Sequence, residues 1–172
     1  MNEKFENQKS AFISIVGMPN AGKSTLINSL IGTKISIISR KVQTTRISID
    51  GIVNIGNSQL IFIDTPGIFK AKRNMEKTLV TNAFKGIERA DFVALIIDAS
   101  RKNLEEEIEL ANKLKQKKFE PIIILNKIDL VTKGRLIEIA LELDKLVKPK
   151  EIFYISALKA KNIEDIKNYF AN

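Results

Sequence analysis

Ala11-Phe12-Ile13-Ser14-Ile15-Val16-Gly17-Met18-Pro19-Asn20-Ala21-Gly22-Lys23-Ser24-Thr25 is the stretch that decides the fold. Its first six residues are apolar and rich in β-branched side chains, the composition of a buried strand. Past it, Leu26, Ile27, Leu30 and Ile31 recur at helical spacing. Between strand and helix, Gly17 and Gly22 bracket Met18, Pro19, Asn20 and Ala21. Lacking Cβ atoms, the two glycines let the backbone curl so that successive N–H groups face one anion. The helix N-terminus adds a partial positive charge, Lys23 a full one, and Ser24 a hydroxyl for a divalent cation. Strand, glycine loop and helix in that order make a phosphate-binding loop spanning Gly17 to Thr25. The expected ligand is a nucleoside phosphate.

Composition narrows the chemistry. At 172 residues, the chain can bury a substantial core. It has neither cysteine nor histidine. Disulfide frameworks, thiolate or imidazole metal sites and histidine-based triads are therefore excluded. Any catalysis rests on carboxylates, hydroxyls, backbone N–H groups, lysine, arginine and bound ions. No apolar run approaches the ~20 residues of a membrane span. Residues 1–10 lack the apolar centre of a signal peptide and are expected to be a disordered lead-in to a cytoplasmic protein. The net charge is +8 with a pI near 9.6. A positive field draws in nucleotides and suits RNA or an anionic membrane surface, so peripheral membrane contact stays open. Scattered lysines in a lysine-rich composition account for the same charge without any partner.

Further along, Gly32 to Arg46 is polar with poor periodicity and reads as a long mobile loop. Residues 47–55 and 60–64 read as two strands of a hairpin turning at Gly56-Asn57-Ser58. The first alternates in polarity like an edge strand; the second is continuously apolar like a central one. Met75, Leu79, Val80, Ala83, Phe84 and Ile87 mark an amphipathic helix. Strands are expected at 92–98, 121–126 and 151–156. Helices are expected from Asn103 to Lys117, around Leu136, Ile139, Ala140, Leu143 and Leu146, and after a cap at Asn162. Strands alternating with helices predict an α/β fold: a mostly parallel six-stranded sheet with one antiparallel edge strand and helices on both faces. Ligands in such folds sit at the carboxyl ends of the strands, where each chemical motif here falls.

Asp64-Thr65-Pro66-Gly67 closes the second apolar strand. A carboxylate beside a phosphate loop can hold Mg²⁺ through water, and the Gly67 N–H can meet a γ-phosphate. D-x-x-G alone is a weak pattern that a capped turn explains better; the phosphate loop before it turns the reading toward a nucleotide. Asn126-Lys127-Ile128-Asp129 is sharper. The Asp129 carboxylate matches guanine's N1–H and 2-amino donors, and against adenine it would be left unpaired at a cost of several kcal/mol. Asn126 can tie this loop to the phosphate loop, and the Lys127 stem can lie over a purine. In Ser156-Ala157-Leu158 a backbone N–H can reach guanine O6. Thr45 offers Mg²⁺ a hydroxyl when a γ-phosphate is present, or is simply an exposed threonine.

These motifs stand in the order of the five motifs of translation-factor-like regulatory GTPases. Residues 17–28, Ser39-Arg40-Lys41-Val42-Gln43-Thr44-Thr45-Arg46 and Asp64-Thr65-Pro66-Gly67-Ile68 closely resemble the TrmE-Era-EngA-like family, in the wording of its Era branch. Other branches share Pro19-Asn20 but carry Thr-Arg-Asp in the first switch, where Ile47 follows Arg46 here. The resemblance implies a P-loop G domain over residues 11–172, with GTP and GDP as ligands and Mg²⁺ held through Ser24, Thr45 and Asp64. Lys23, Thr45, Gly67 and Asn20 are then the residues at the reacting phosphate. It also implies a monomer acting in small ribosomal subunit maturation. Members of that branch continue into a KH domain that binds the 3′ end of 16S rRNA. That half is expected after about Asn172, outside these residues. Ile68 stands where Ras-like enzymes carry a water-orienting glutamine, so turnover is expected to be slow. Asn20 either caps the loop or helps hold K⁺ against the phosphates. Two other classes are weaker: a small-molecule kinase has no use for the Asp129 base selector, and an RNA-binding module rests on charge alone.

Overall fold

Continuous apolar strands need cover on both faces, and the computed structural model supplies it for the residues it describes, 8–32, 43–44, 47–63 and 87–172. In chain order these are β1 (Lys9–Val16), α1 (Lys23–Ile31), β2 (Gln43–Thr44), β3 (Ile47–Ile55), β4 (Ser58–Ile63), β5 (Phe92–Asp98), α2 (Glu105–Gln116), β6 (Ile122–Asn126), a 3₁₀ turn (Ile128–Leu130), α3 (Lys133–Leu146), β7 (Glu151–Tyr154) and α4 (Ile163–Ala171). The sheet order is β2-β3-β4-β1-β5-β6-β7. β4, β1, β5, β6 and β7 are mutually parallel, while β3 runs antiparallel to both β2 and β4.

Alternation along each strand sorts its side chains into two cores. Ala94 and Ile96 of β5 and Ile122 and Ile124 of β6 join Leu26, Leu30, Ile166 and Phe170 on the face covered by α1 and α4. Val93, Leu95, Ile97, Ile123 and Leu125 join Leu110, Leu114, Ile139 and Leu143 under α2 and α3. β1 lies between β4 and β5, so the connections on its two sides leave in opposite directions. This opens a crevice at the carboxyl ends of the strands. Among the described residues no helix is long and apolar enough to cross a membrane.

The six strands read from the sequence are present, with β3 as the antiparallel member. A seventh, two-residue strand lies in the segment read as loop, and it displaces β3 from the edge. Two residues of pairing leave no periodicity to read. β1 begins at Lys9 rather than Ala11: Lys9 pairs with Ser58 and Ser10 with Gln59. Ladder bonds use the backbone alone, so polar side chains do not end the strand. β7 closes at Tyr154, two residues short of Ser156. α2 begins at Glu105, two residues after Asn103, whose Oδ1 accepts the Glu105 N–H at 2.8 Å. Leu146 is 47% exposed, and the fully buried Val147 fills the core there instead. Asn162 does not cap α4 with its side chain. It sits at φ 59°, and its Nδ2 donates to the Tyr154 carbonyl at 2.8 Å, tying the helix start to β7. The amphipathic helix read from Met75 lies outside the described residues apart from Ile87, which is buried.

Candidate functional site

β1 delivers the chain into the crevice at Gly17, and α1 carries it away from Lys23. The reversal passes through Asn20 at φ 64° and Gly22 at φ 103°. It is tightened by the Ala21 N–H on the Met18 carbonyl at 3.2 Å, and the Leu26 N–H returns to Gly22 at 2.8 Å. The two glycines have different reasons. At Gly22 both the positive φ and the Asn126 side-chain amide exclude a Cβ. Gly17 needs no unusual backbone; a Cβ there would overlap the Ile96 carbonyl of β5. Close approach of loop to sheet, rather than curling freedom, is what requires that glycine. The Lys23 ammonium folds over the loop and donates to the carbonyls of Gly17 at 2.7 Å and Met18 at 3.1 Å. Burial pushes its pKa below the ordinary lysine value.

Asn126 ends β6 and is 2% exposed. Its Nδ2 donates to the Ala21 carbonyl and its Oδ1 accepts the Ala157 N–H, each at 2.9 Å. One buried amide thereby joins the 17–25 loop, the end of β6 and the loop after β7. Lys127 follows in the left-handed region, at φ 64° and ψ 34°. Its Nζ donates to Asp98 Oδ2 at 2.5 Å, so the head of this side chain is anchored at the end of β5. Asp98 Oδ1 accepts from the Ser100 N–H at 3.0 Å and the Ser100 hydroxyl at 2.6 Å. Burial alone would raise the Asp98 pKa, but the Lys127 and Ser100 bonds outweigh it and hold the carboxyl below its usual range. Asp129 sits in the 3₁₀ turn, 3.1 Å from Lys159 Nζ. The Ser156 hydroxyl first, and Lys159 second, hold its carboxyl low as well.

The two sides meet around a cavity of about 480 Å³. Asn20, Gly22, Lys23, Ser24 and Thr25 line it from the first loop; Asn126, Lys127, Asp129, Leu130, Ser156 and Leu158 line it from the others. That volume lies within the range of small-ligand sites. Ser24 is exposed and lines it, and its hydroxyl is of the type that a divalent cation carried by phosphate oxygens takes. Such a cation takes hydroxyl and phosphate oxygens and needs no carboxylate cluster; among the described residues no group of three or more acidic side chains is placed to hold a metal ion. Thr45, Asp64, Thr65, Pro66, Gly67 and Ile68 lie outside the described residues. In Ser156-Ala157-Leu158, the Ala157 N–H is already engaged by Asn126. The Ser156 N–H is engaged by the Lys161 carbonyl at 3.3 Å, so of the two backbone donors of this loop that face known partners neither is directed at the cavity.

Sequence reading missed Asp98, Ser100 and Lys159. Asp98 was visible as the one charge closing the apolar run from Phe92 to Ile97. Its partner 29 residues on was not.

A family model described as 50S ribosome-binding GTPase matches residues 12–127. The chain is 40% identical over 170 residues to the GTPase Era of Afipia carboxidovorans, covering 98% of this chain and 55% of that protein. It spans about half the length of such relatives. Among solved structures it is similar to Era in complex with MgGDPNP and nucleotides 1506–1542 of 16S ribosomal RNA, at 40% identity and a TM-score of 0.71, covering 95% of this chain and 56% of that one. An Aquifex aeolicus Era variant bound to GDP and AlF₄⁻ aligns at 37% identity with a TM-score of 0.72, covering 96% and 58%.

Proposed function

The chain belongs to the 50S ribosome-binding GTPase family, and on that premise we propose that it is a GTP- and GDP-binding switch that hydrolyses GTP slowly. The reading rests on one cavity with a lysine and a helix start at one end and a partly buried carboxylate at the other. Residues 11–172, with Lys9 and Ser10 joined through β1, form the G domain. Met18 to Thr25 surround the phosphates, and Lys23 exchanges its carbonyl partners for phosphate oxygens. Asp129 reads guanine, helped by Asn126, Lys127 and the 156–158 loop. Asp64 to Ile68 and Thr45 complete the γ-phosphate side. Ser24, Thr45 and Asp64 are the residues that would hold Mg²⁺, which when bound neutralises charge between the phosphates.

Asn20 is exposed, lines the cavity and has no side-chain hydrogen bond among the described residues. Its amide oxygen is therefore available to a monovalent cation, and Asn20 would hold K⁺ there, which would supply charge stabilisation to the reacting phosphate. Turnover should then be several-fold faster in K⁺ than in Na⁺ at equal ionic strength, a difference that Asn20→Ala removes. Equal rates would take the cation out of the mechanism.

The biological setting is maturation of the small ribosomal subunit, as the solved relative's 16S rRNA suggests. The protein acts there as a cytoplasmic monomer. Its +8 charge aids approach to rRNA and suits an anionic membrane surface. Base selectivity is the direct test. Asp129→Asn should weaken GTP binding by about two orders of magnitude and improve binding of xanthosine nucleotides. Equal affinity of the unmodified chain for ATP and GTP would overturn the reading.

A further inference from the structure

Lys127 presents a problem that the guanine site leaves open. Its backbone sits in a region that non-glycine residues avoid, and its side chain carries a mobile charge on a four-carbon stem. An unrestrained ammonium at the wall of this cavity would swing toward the nearest anion, the phosphates of a bound nucleotide. Asp98 prevents that. The residue is 8% exposed, lies opposite Asn126 in the β5–β6 register, and is not among those lining the cavity. Its two oxygens divide their work: Oδ1 takes both Ser100 donors, and Oδ2 is left for Lys127. The turn that carries it is fixed in turn. Ala99 N–H bonds the Asn126 carbonyl at 3.0 Å, and Arg101, paired with the fully buried Glu107 of α2, returns its N–H to Asp98 at 3.2 Å.

We propose that Asp98 is a positioning residue of the nucleotide site, holding the Lys127 ammonium out of the cavity so that Lys127 offers the base its apolar stem and not its charge. This rests on the guanine-nucleotide reading. The competing account makes Asp98 a turn residue, needed for Ser100 alone.

Substitution separates the two, because an asparagine at this position keeps an acceptor for Ser100 while turning an NH₂ toward Lys127. Release of a fluorescent GDP analogue from the full chain is the readout, with thermal unfolding alongside. Asp98→Asn should speed release about tenfold, the scale of one lost charged hydrogen bond. Adding Lys127→Met, which keeps the stem and deletes the charge, should bring release back to within about threefold of the unmodified chain. A turn residue would not be rescued that way. The double variant also decides the matter if Asp98→Asn alone fails to fold. An unchanged rate in Asp98→Asn, or no rescue by Lys127→Met, overturns the proposal. If the unmodified chain shows no preference for GDP over ADP, the nucleotide reading itself falls, and the role of Asp98 with it.

Discussion

The two ends of the cavity are built on different principles. At the phosphate end one contiguous loop supplies the described lining of the cavity, and the restraints on it act through the backbone: Gly17 against the Ile96 carbonyl, Gly22 at φ 103°, Lys23 on two carbonyls of its own loop. At the base end three strand termini converge, and side chains hold them. Asn126 spans two loops, Asp98 holds Lys127, and Lys159 covers Asp129. A site for phosphate can be local because backbone N–H groups and one cation suffice. A site for one base needs donors and acceptors at fixed separations, which distant elements must supply.

The contrast can be broken most sharply at the phosphate end. Lys23→Ala should weaken triphosphate binding by roughly 100- to 1000-fold, about 3–4 kcal/mol, with little change in unfolding, because that ammonium serves the ligand. Loss of the circular dichroism signal would instead make Lys23 a structural member of its loop. Asn126→Ala should do the opposite and act on both ends at once. It strands the Ala21 carbonyl and the Ala157 N–H, and at about 1–3 kcal/mol for each buried unpaired group, urea unfolding should show a loss of roughly 2–6 kcal/mol. An unfolding midpoint that stays in place would mean the loops hold their positions without that amide.

The smallest effect sharpens the base end. Asp98 has a folded pKa below its unfolded value, so its contribution to stability is complete above the ordinary carboxylate range near 3.9 and is lost as pH falls through the lower, folded pKa. Between pH 6 and pH 3 the unmodified chain should therefore lose stability more steeply than Asp98→Asn. Parallel acid titrations of the two would show that the pair with Lys127 contributes nothing.

The glycine loop, the alternation of strands and helices around it and Asp129 as a candidate base selector were legible from residues alone. Each depends on interactions within a few residues: a glycine before a lysine, an apolar run before a turn, a carboxylate two residues past a lysine. Boundaries were less so. β1 reached back to polar Lys9, and β2 formed from two residues, because a ladder bond consults the backbone and not the side chain. What only the tertiary structure decided is partnership across the sheet. Asn126 was expected to reach the phosphate loop, and it does, but nothing in the spacing adds Ala157 as its second partner or sets Asp98 within 3 Å of Lys127. Parallel strands laid side by side bring distant chain segments to one rim. Which side chains then share a hydrogen bond is a property of register, and register belongs to the folded sheet.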